Sequence, residues 1–249
     1  MIEISNLKKI YKTGGGVTAA VNGISLKIPE GKFVSIIGPS GAGKSTLLRL
    51  INGMLSADEG SVCIDGKNIT ELKGKAKREL QKNICMIFQD FCLVGNSTVK
   101  KNVLNACLGN MSLFSVMFGI FGAENNKKAE RILGRVGMAH KSGQMASMLS
   151  GGERQRTAIA RALMQGGNIL LADEPVASLD PINAEAVLKL LKVLQTEKHM
   201  TVVMNIHNIE QAVRFSDWII GLNSGRVVYE GEPKNMDNSA RKEIYGKDS

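Results

Sequence analysis

The sequence predicts an α/β fold in which a mixed sheet forms the core, an antiparallel β subdomain comes first and a helical subdomain is inserted into the chain. Three observations support this fold class. Short apolar runs typical of buried strands alternate with helical patterns after residue 33. Residues 2–11 and 17–28 are predicted as two strands around the turn Thr13-Gly14-Gly15-Gly16. Residues 96–165 are mostly helical in pattern, contain no strong strand and separate two of the core strands.

Length and charge limit the domain organisation and the partners. The chain has 249 residues, 43% of them hydrophobic, which is enough for one sizeable α/β domain but not for several. We predict one domain over residues 1–231, with the helical subdomain at about 96–165, and a C-terminal tail at 232–249. The net charge of +9 suits nucleic acid, an anionic membrane surface or simply a solvated basic surface. No nucleic-acid motif accompanies the scattered basic residues, so we expect no nucleic-acid partner.

Cysteine usage and the first residues favour a cytosolic chain. The four cysteines, Cys63, Cys85, Cys92 and Cys107, show no C-x-x-C pairing. Three of them lie in apolar surroundings, which is typical of reduced core residues. Residues 1–6 show no signal-peptide pattern.

An aromatic residue, Tyr11, lies just before the first predicted turn. Aromatic residues are scarce in this chain, which contains 1 Trp, 3 Tyr and 7 Phe. An exposed aromatic ring can stack on a nucleotide base. Covering the sheet edge is the alternative role, and the residues alone leave both open.

The stretch from Phe33 to Leu48 predicts a phosphate-binding P-loop. A short apolar strand is followed by the spacing Gly-x-x-x-x-Gly-Lys-Ser and then by a helical pattern. The loop residues are Gly38, Pro39, Ser40, Gly41, Ala42, Gly43, Lys44, Ser45 and Thr46. Glycines let backbone N–H groups turn toward phosphate oxygens at the positive end of the next helix. Lys44 can reach the β and γ phosphates, and the Ser45 hydroxyl can ligate Mg²⁺. This pattern makes the core a P-loop NTPase and leaves a kinase, a switch GTPase or an ATPase open.

The polar residue Gln89 lies at the end of another predicted strand. The apolar run 84–88 follows a polar helix predicted over 71–81, and it ends at Gln89. The carboxyl ends of strands are where α/β sheets bind ligands. Gln89 is therefore a candidate contact for Mg²⁺ or for an attacking water, although taken alone its position favours an ordinary loop residue.

The helical subdomain contains a second candidate anion-binding surface. Ser150 is a suitable N-cap for a helix predicted over 153–164, and Gly151 and Gly152 leave its first amides accessible. An ordinary capped helix is the alternative.

The run 169–173 predicts a buried strand that ends in two carboxylates, Asp173 and Glu174. The Asp173 carboxylate can hold Mg²⁺ directly or through water, and Glu174 can polarise a water for attack on a γ-phosphate. Pro175 ends the strand. In a chain with a P-loop, the two carboxylates indicate phosphoanhydride hydrolysis.

The remaining chain supplies a capped helix, a strand and a histidine. Asp180 is predicted as the N-cap of a helix over 182–195, with Pro181 in its first turn. His207 follows the strand predicted over 201–206 and is a candidate sensor of the γ-phosphate. Two further strands surround the turn at 223–225, and the tail predicts a short helix and a frayed end.

One long apolar segment, residues 103–123, contains no charged residue and approaches the length that spans a bilayer. Polar residues and three glycines interrupt it. A single crossing would also place the P-loop and the Asp173-Glu174 pair on opposite sides of the membrane, although they must share one nucleotide. We therefore predict no membrane crossing but a helical apolar surface, either packed inside or offered to a partner.

Taken together, these motifs resemble the nucleotide-binding subunits of ATP-binding-cassette (ABC) transporters over about residues 1–231. The resemblance rests on motifs in the family's order: Tyr11, 38–46, Gln89, 149–153, 169–174, 178–180 and His207. Residues 149–153 read Leu-Ser-Gly-Gly-Glu, where the family most often has a final Gln.

The resemblance implies a mechanism that the residues alone do not give. Two subunits would pair head to tail, so that ATP lies between one P-loop and the surface formed by Ser150, Gly151, Gly152 and Asp180 of the other copy. Tyr11 would stack on adenine, and Lys44 and the loop would hold the phosphates. Ser45, Gln89 and Asp173 would bind Mg²⁺. Glu174 would be the general base, and His207 would contact the γ-phosphate.

A closer resemblance is to the ATPase subunits of bacterial phosphonate importers. It rests on residues 91–95, 99–109, 114–121 and 174–181, where Val176 replaces the Thr of many relatives. It implies a peripheral subunit at the cytoplasmic face of the membrane, with permease subunits contacted by the Gln89 loop and the 103–123 segment, and a solute-binding protein acting indirectly. An ATPase of another transporter (amino acid import, or lipoprotein or peptide export) and a non-transport ABC ATPase are the alternatives.

Overall fold

The computed structural model describes residues 1–13 and 16–246, and it contains ten strands and nine α-helices within those ranges. The strands are β1 (Ile2–Thr13), β2 (Gly16–Ile28), β3 (Phe33–Ile37), β4 (Glu59–Ile64), β5 (Lys67–Asn68), β6 (Ile84–Ile87), β7 (Ile169–Asp173), β8 (Thr201–Asn205), β9 (Trp218–Asn223) and β10 (Arg226–Gly231). The helices are α1 (Lys44–Ile51), α2 (Gly74–Lys82), α3 (Val99–Leu104), α4 (Leu113–Met117), α5 (Gly122–Arg135), α6 (Gly151–Gln165), α7 (Pro181–Lys198), α8 (Ile209–Phe215) and α9 (Asn238–Tyr245).

A six-stranded sheet in the order β10-β9-β3-β8-β7-β6 forms the core. β10 is antiparallel to β9, whereas every other neighbouring pair is parallel. β3, β6, β7 and β8 are buried along their whole length, as expected for parallel strands covered on both faces. The predicted α/β class with a mixed sheet is confirmed. In the register, Ile36, Asn205 and Asp173 lie side by side, so the ends of three strands meet at one edge.

A second sheet, in the order β2-β1-β4-β5, is antiparallel throughout and confirms the predicted N-terminal β subdomain. β1 is two residues longer than predicted, because it pairs with β2 up to Thr13 and Gly16. The centre of the predicted turn, residues 14–15, lies outside the described residues.

The segment between β6 and β7 is helical. It leaves the sheet after β6 and returns in β7, the adjacent strand, and the one β-contact described within it is the isolated bridge between Thr98 and Met145. α3, α5 and α6 bury a shared apolar core that includes Val103, Leu133 and Ile159. The predicted cap is confirmed: the Ser150 hydroxyl accepts from the Glu153 N–H, and the Glu153 carboxylate accepts from the Ser150 N–H at 2.9 Å.

Two helices differ by three residues at one end from their predicted bounds. The helix predicted over 71–81 begins at Gly74, because residues before it form a turn in which Asn68 Oδ1 accepts from the Thr70 N–H. α7 begins at Pro181, where Asp180 accepts from the Ile182 and Asn183 N–H groups, and it continues to Lys198. The N-cap predicted at Asp180 is thus confirmed, and the helix is longer than its predicted span.

The apolar segment at 103–123 divides into a buried part and an exposed part. Val103, Leu104 and Cys107 pack into the core of the helical subdomain. Phe114, Met117, Phe118 and Ile120 are each more than half exposed, with values of 63, 76, 60 and 55%. In residues 1–13 and 16–246, no helix is both long enough and apolar enough to cross a membrane.

The tail contains the predicted short helix, α9, and a short 3-10 turn at Pro233–Asn235 before it. Asp237 caps α9, and its Ile244 is fully buried. The predicted frayed end falls in part on residues 247–249, which lie outside the described residues.

Candidate functional site

The loop between β3 and α1 is held tightly by backbone from two other strands. Gly43 has a φ of 99°, and a Cβ at this position would collide with the carbonyl oxygen of Ala20 in β2. A Cβ at Gly38 would collide with the carbonyl oxygen of Leu222 in β9. The glycines of the predicted P-loop therefore permit a close backbone approach as well as a positive φ.

Lys44, the first residue of α1, folds its side chain back over the loop. Its Nζ donates to the carbonyl oxygens of Gly38 at 2.8 Å and Pro39 at 3.0 Å. The residue is only 5% exposed. Burial lowers the pKa of Lys44, and the carboxylates of Glu174 and Asp173 oppose that decrease. A buried ammonium at a helix N-terminus is suited to an anionic ligand.

Ser45 and Asp173 are brought together from positions 128 residues apart. The Ser45 hydroxyl donates to Asp173 Oδ1 at 2.7 Å, and Asn205 Nδ2 donates to the same oxygen at 2.7 Å. Hydroxyl and carboxylate oxygens are hard ligands of the kind that Mg²⁺ prefers. No group of three or more His, Cys, Asp or Glu within the described ranges could hold a metal ion alone. The two oxygens therefore fit a Mg²⁺ ion that is shared with phosphate oxygens.

Glu174 and His207 form a second pair at the same edge of the sheet. Glu174 Oε1 lies 2.6 Å from His207 Nε2 in a hydrogen bond. Glu174 has a φ of 50°, a left-handed conformation that directs its side chain out of line with β7. It also lines a cavity of about 310 Å³ whose other lining residues are Ala20 and the loop residues 40–46. A carboxylate beside a phosphate-binding loop and an imidazole can orient and deprotonate a water molecule.

Asn205 is a site residue that the sequence analysis missed. It is fully buried at the end of β8, and its Oδ1 has no hydrogen-bond partner within the described chain, whereas its Nδ2 fixes Asp173. The signal was a lone amide at the end of an otherwise apolar strand, two residues before His207. Like Asp173 and Gln89, Asn205 is a polar residue at or shortly after the carboxyl end of a buried parallel strand.

Tyr11 and Gln89 do not line the cavity beside the P-loop. Tyr11 is 39% exposed in β1, with Lys9 Nζ 5.9 Å from the centre of its ring. Gln89 is exposed in the turn that follows β6. Their predicted nucleotide and metal contacts therefore remain predictions.

The residues predicted to act in a second copy form a separate surface. The N-terminus of α6 abuts that of α7: the Cβ position of Gly151 is 3.6 Å from Leu179, and that of Gly152 is 3.3 Å from Asn183. Asp180 Oδ2 accepts from Asn183 Nδ2 at 2.6 Å, which lowers the pKa of Asp180 together with backbone N–H groups. None of the four predicted trans residues (Ser150, Gly151, Gly152, Asp180) lines the P-loop cavity of its own chain.

Comparison with known proteins identifies related sequences over the whole chain. The ABC transporter family profile matches residues 21–177. The chain is 45% identical to the phosphonates import ATP-binding protein PhnC of Lactobacillus johnsonii, over 98% of this chain and 95% of that protein. It is 41% identical to the protein of the same name from Lactococcus lactis subsp. lactis, over the full length of both.

Solved structures show the same fold. A dimeric bacterial ABC transporter cassette superposes with a TM-score of 0.84 at 35% identity, covering 95% of this chain and all of that chain. A dimeric post-hydrolysis state of the same cassette, bound to ADP and phosphate, superposes with a TM-score of 0.82 at 36% identity and the same coverage. The chain is thus similar to cassettes that bind nucleotide and form dimers.

Proposed function

Because the chain belongs to the ABC transporter family, we propose that it is the ATP-binding and ATP-hydrolysing subunit of an importer for phosphonates or related phosphorus oxyanions. The observation that carries the solute class is the identity of 41–45% with phosphonates import ATP-binding proteins over nearly the whole chain. The chemistry of the site supports the ATPase activity independently.

The P-loop and Lys44 bind the nucleotide phosphates in this proposal. Tyr11, which is partly exposed near the end of β1, stacks on adenine. Ser45 and Asp173, whose oxygens lie 2.7 Å apart, hold Mg²⁺ with Gln89 as a further ligand. A Mg²⁺ ion held by these residues would supply positive charge that neutralises the nucleotide phosphates.

Glu174 acts as the general base in hydrolysis. Its carboxylate accepts a proton from the attacking water, and the hydrogen bond to His207 fixes its orientation. His207, nearly half exposed, can turn its imidazole toward the γ-phosphate. Lys44 balances the charge of the phosphates within the loop.

A second copy of the chain completes each site. The surface of Ser150, Gly151, Gly152 and Asp180 includes the N-terminus of α6 and does not line the P-loop cavity of its own chain. In a head-to-tail dimer, these amides would meet the γ-phosphate of the other copy. The similarity to dimeric cassettes supports this arrangement.

Permease subunits contact the Gln89 loop and the 103–123 segment, which makes the protein peripheral at the cytoplasmic face of the membrane. A cavity of about 440 Å³ opens beside this loop, and its lining includes Phe88 and Arg161. The Arg161 guanidinium, on α6, donates to the carbonyl oxygens of Phe91 and Cys92. The helix that carries Ser150 is therefore tied to the Gln89 loop, which allows nucleotide-driven motion to reach the permease. The solute-binding protein acts only through the permease.

Transport in a reconstituted system tests the proposed solute. The protein is reconstituted in liposomes with its cognate permease and solute-binding protein, and uptake of a radiolabelled alkylphosphonate is measured. We expect uptake that requires ATP and the binding protein. ATP-dependent movement of an amino acid or a lipoprotein, with no phosphonate uptake, would assign the subunit to another ABC transporter. Recovery of nucleic acid and no membrane protein in a pull-down would indicate a non-transport ABC ATPase.

The exposed part of the apolar segment provides a test of the permease contact. Met117 and Phe118 are 76 and 60% exposed, so replacing both with Ser removes apolar surface without opening the core. We expect Met117→Ser/Phe118→Ser to lose co-purification with the permease by at least about tenfold, because buried apolar contacts at an interface contribute most of its affinity. ATPase activity of the isolated subunit should not change.

Val193→Ser is the matched control for this double variant. Val193 is a 49% exposed apolar residue on α7, outside the segment. It should leave permease co-purification unchanged. Equal permease binding by the double variant and the wild type would remove residues 117–118 from the proposed interface.

A further inference from the structure

The carboxyl end of β8 places a polar side chain on an apolar face of the central sheet. Asn205 is the last residue of β8 and lies in register with Asp173 on one side and Ile36 on the other. Side chains alternate between the two faces of a strand, so Asn205 shares its face with Val203. Val203 packs in the apolar cluster that includes Leu47 of α1. Asn205 therefore lies on the face that α1 covers, and α1 is the helix that carries Ser45.

The Asn205 amide makes one side-chain hydrogen bond and leaves its oxygen unpaired. The residue is fully buried, and its Nδ2 donates to Asp173 Oδ1 at 2.7 Å. Its Oδ1 has no hydrogen-bond partner within residues 1–13 and 16–246. An ionised carboxylate can only accept, which fixes the amide with its nitrogen toward Asp173. Because an unpaired buried oxygen is unfavourable, packing alone does not explain an amide at this position.

Asp173 is oriented by two donors from different elements. Ser45 Oγ in α1 and Asn205 Nδ2 in β8 both donate to Asp173 Oδ1 at 2.7 Å. Within the described chain, these are the side-chain hydrogen bonds that Asp173 accepts, so Oδ2 stays free for a cation or for its water. The amide carries no charge, and it therefore holds the carboxylate in place without neutralising it.

Asn205 lies outside the phosphate-binding loop itself. The cavity beside the P-loop is lined by Ala20, residues 40–46 and Glu174, and Asn205 is not part of that lining. Asn205 instead lines a second cavity of about 300 Å³, together with Glu174 and His207. In the part of the chain that the structure describes, its side chain bonds to neither of these two residues. Its link to the nucleotide site therefore passes through Asp173.

We infer that Asn205 is a positioning residue for the metal site. Its amide orients the Asp173 carboxylate so that the other carboxylate oxygen is available to Mg²⁺, and it thereby controls the affinity for the metal separately from the affinity for the nucleotide. The inference rests on the proposed function. It adds to the predicted metal ligands Ser45, Gln89 and Asp173 a residue that acts on the metal only through one of them.

Asn205→Leu tests the inference, because leucine has the same branched shape and lacks the amide. Mn²⁺, which suits the same oxygen ligands as Mg²⁺, is titrated into ADP with an excess of the full-length protein, and free Mn²⁺ is measured by electron paramagnetic resonance. We expect the Kd of Mn²⁺ for the protein–ADP complex to rise about tenfold, as is typical when a hydrogen-bond partner of a metal ligand is lost. The Kd of metal-free ADP, measured by calorimetry in EDTA, should stay within about twofold of wild type, since the phosphate-binding residues are unchanged.

Thr201→Val is the matched control. Thr201 is a buried polar residue at the opposite end of the same strand, and its hydroxyl accepts from the Gly31 N–H at 3.0 Å. Valine keeps the shape and leaves that N–H without its partner, so the melting temperature should fall. The Kd of Mn²⁺ and the Kd of metal-free ADP should both equal those of wild type.

The two affinities separate the outcomes. A raised Kd for Mn²⁺ with an unchanged Kd for metal-free ADP, in Asn205→Leu and not in Thr201→Val, supports the inference. Unchanged metal affinity, or an equal loss of both affinities, overturns it and leaves Asn205 a structural residue. If Asn205→Leu does not fold, Asn205→Ala also lacks the amide and has the same expected result. Absence of ADP binding by the wild-type protein would overturn the proposed function, and this inference with it.

Discussion

Glu174→Gln is expected to bind ATP as the wild type does and to hydrolyse it about 10²- to 10⁴-fold more slowly, the range associated with loss of a general base. Gln has the same shape and can keep a hydrogen bond to His207, so the 2.6 Å contact and the cavity beside the P-loop should persist. Only the ability to accept a proton is lost. Because hydrolysis reopens the proposed dimer, the variant should accumulate as an ATP-bound dimer.

Two measurements check this expectation. Phosphate release gives the hydrolysis rate, and size-exclusion chromatography with MgATP gives the oligomeric state. Glu230→Gln, the same substitution at an exposed position on β10, is the matched control and should behave as wild type. Hydrolysis by Glu174→Gln at the wild-type rate would exclude Glu174 as the base.

The parts of the site that follow strands were accessible to sequence reasoning. Lys44, Asp173 and His207 each follow a short apolar run, and in a parallel sheet the carboxyl ends of such runs converge on one edge. The structure brings these three positions to that edge, with Ile36, Asn205 and Asp173 in register. Periodicity and spacing therefore predicted which residues meet, although not their distances.

Contacts made by residues without a motif were not predictable. Asn205 fixes Asp173 through a side-chain amide, yet in sequence it is one polar residue at the end of an apolar strand. Tyr245 lies in a tail that is polar by composition, and only the folded chain shows that its hydroxyl and the Ile244 side chain are buried. Both depend on which strands become neighbours, which local pattern does not specify.

The apolar segment shows why an ambiguous pattern stays ambiguous without tertiary structure. Its first half, with Val103 and Cys107, supplies core to the helical subdomain, whereas Phe114 and Phe118 are exposed with their ring centres 4.6 Å apart. Both halves are apolar and free of charged residues. The two halves differ in whether α5 and α6 pack against them, and the local sequence does not specify this packing.

Lys44→Ala is expected to weaken ATP and ADP binding about 10- to 100-fold, which corresponds to the roughly 1.5–3 kcal/mol of a hydrogen bond to a charged group. Hydrolysis at subsaturating ATP should fall at least in proportion. The effect differs in kind from that of Glu174→Gln, since it acts on binding itself. An exposed lysine, Lys67→Ala on β5, is the control and should retain nucleotide affinity.

Stability should change little in the Lys44 variant, and this separates loss of a ligand contact from loss of fold. Burial lowers the pKa of Lys44, so the folded state carries this ammonium at a cost that alanine removes. Against this gain, the carbonyl groups of Gly38 and Pro39 lose their donor. Because the folded-state pKa is lowered, stability of the wild type should rise with pH as Lys44 loses its proton, and this contribution should be absent from Lys44→Ala. Nucleotide titration checks the affinity, and melting curves at neutral and alkaline pH check the stability. Unchanged nucleotide affinity in Lys44→Ala would exclude Lys44 from the phosphate site.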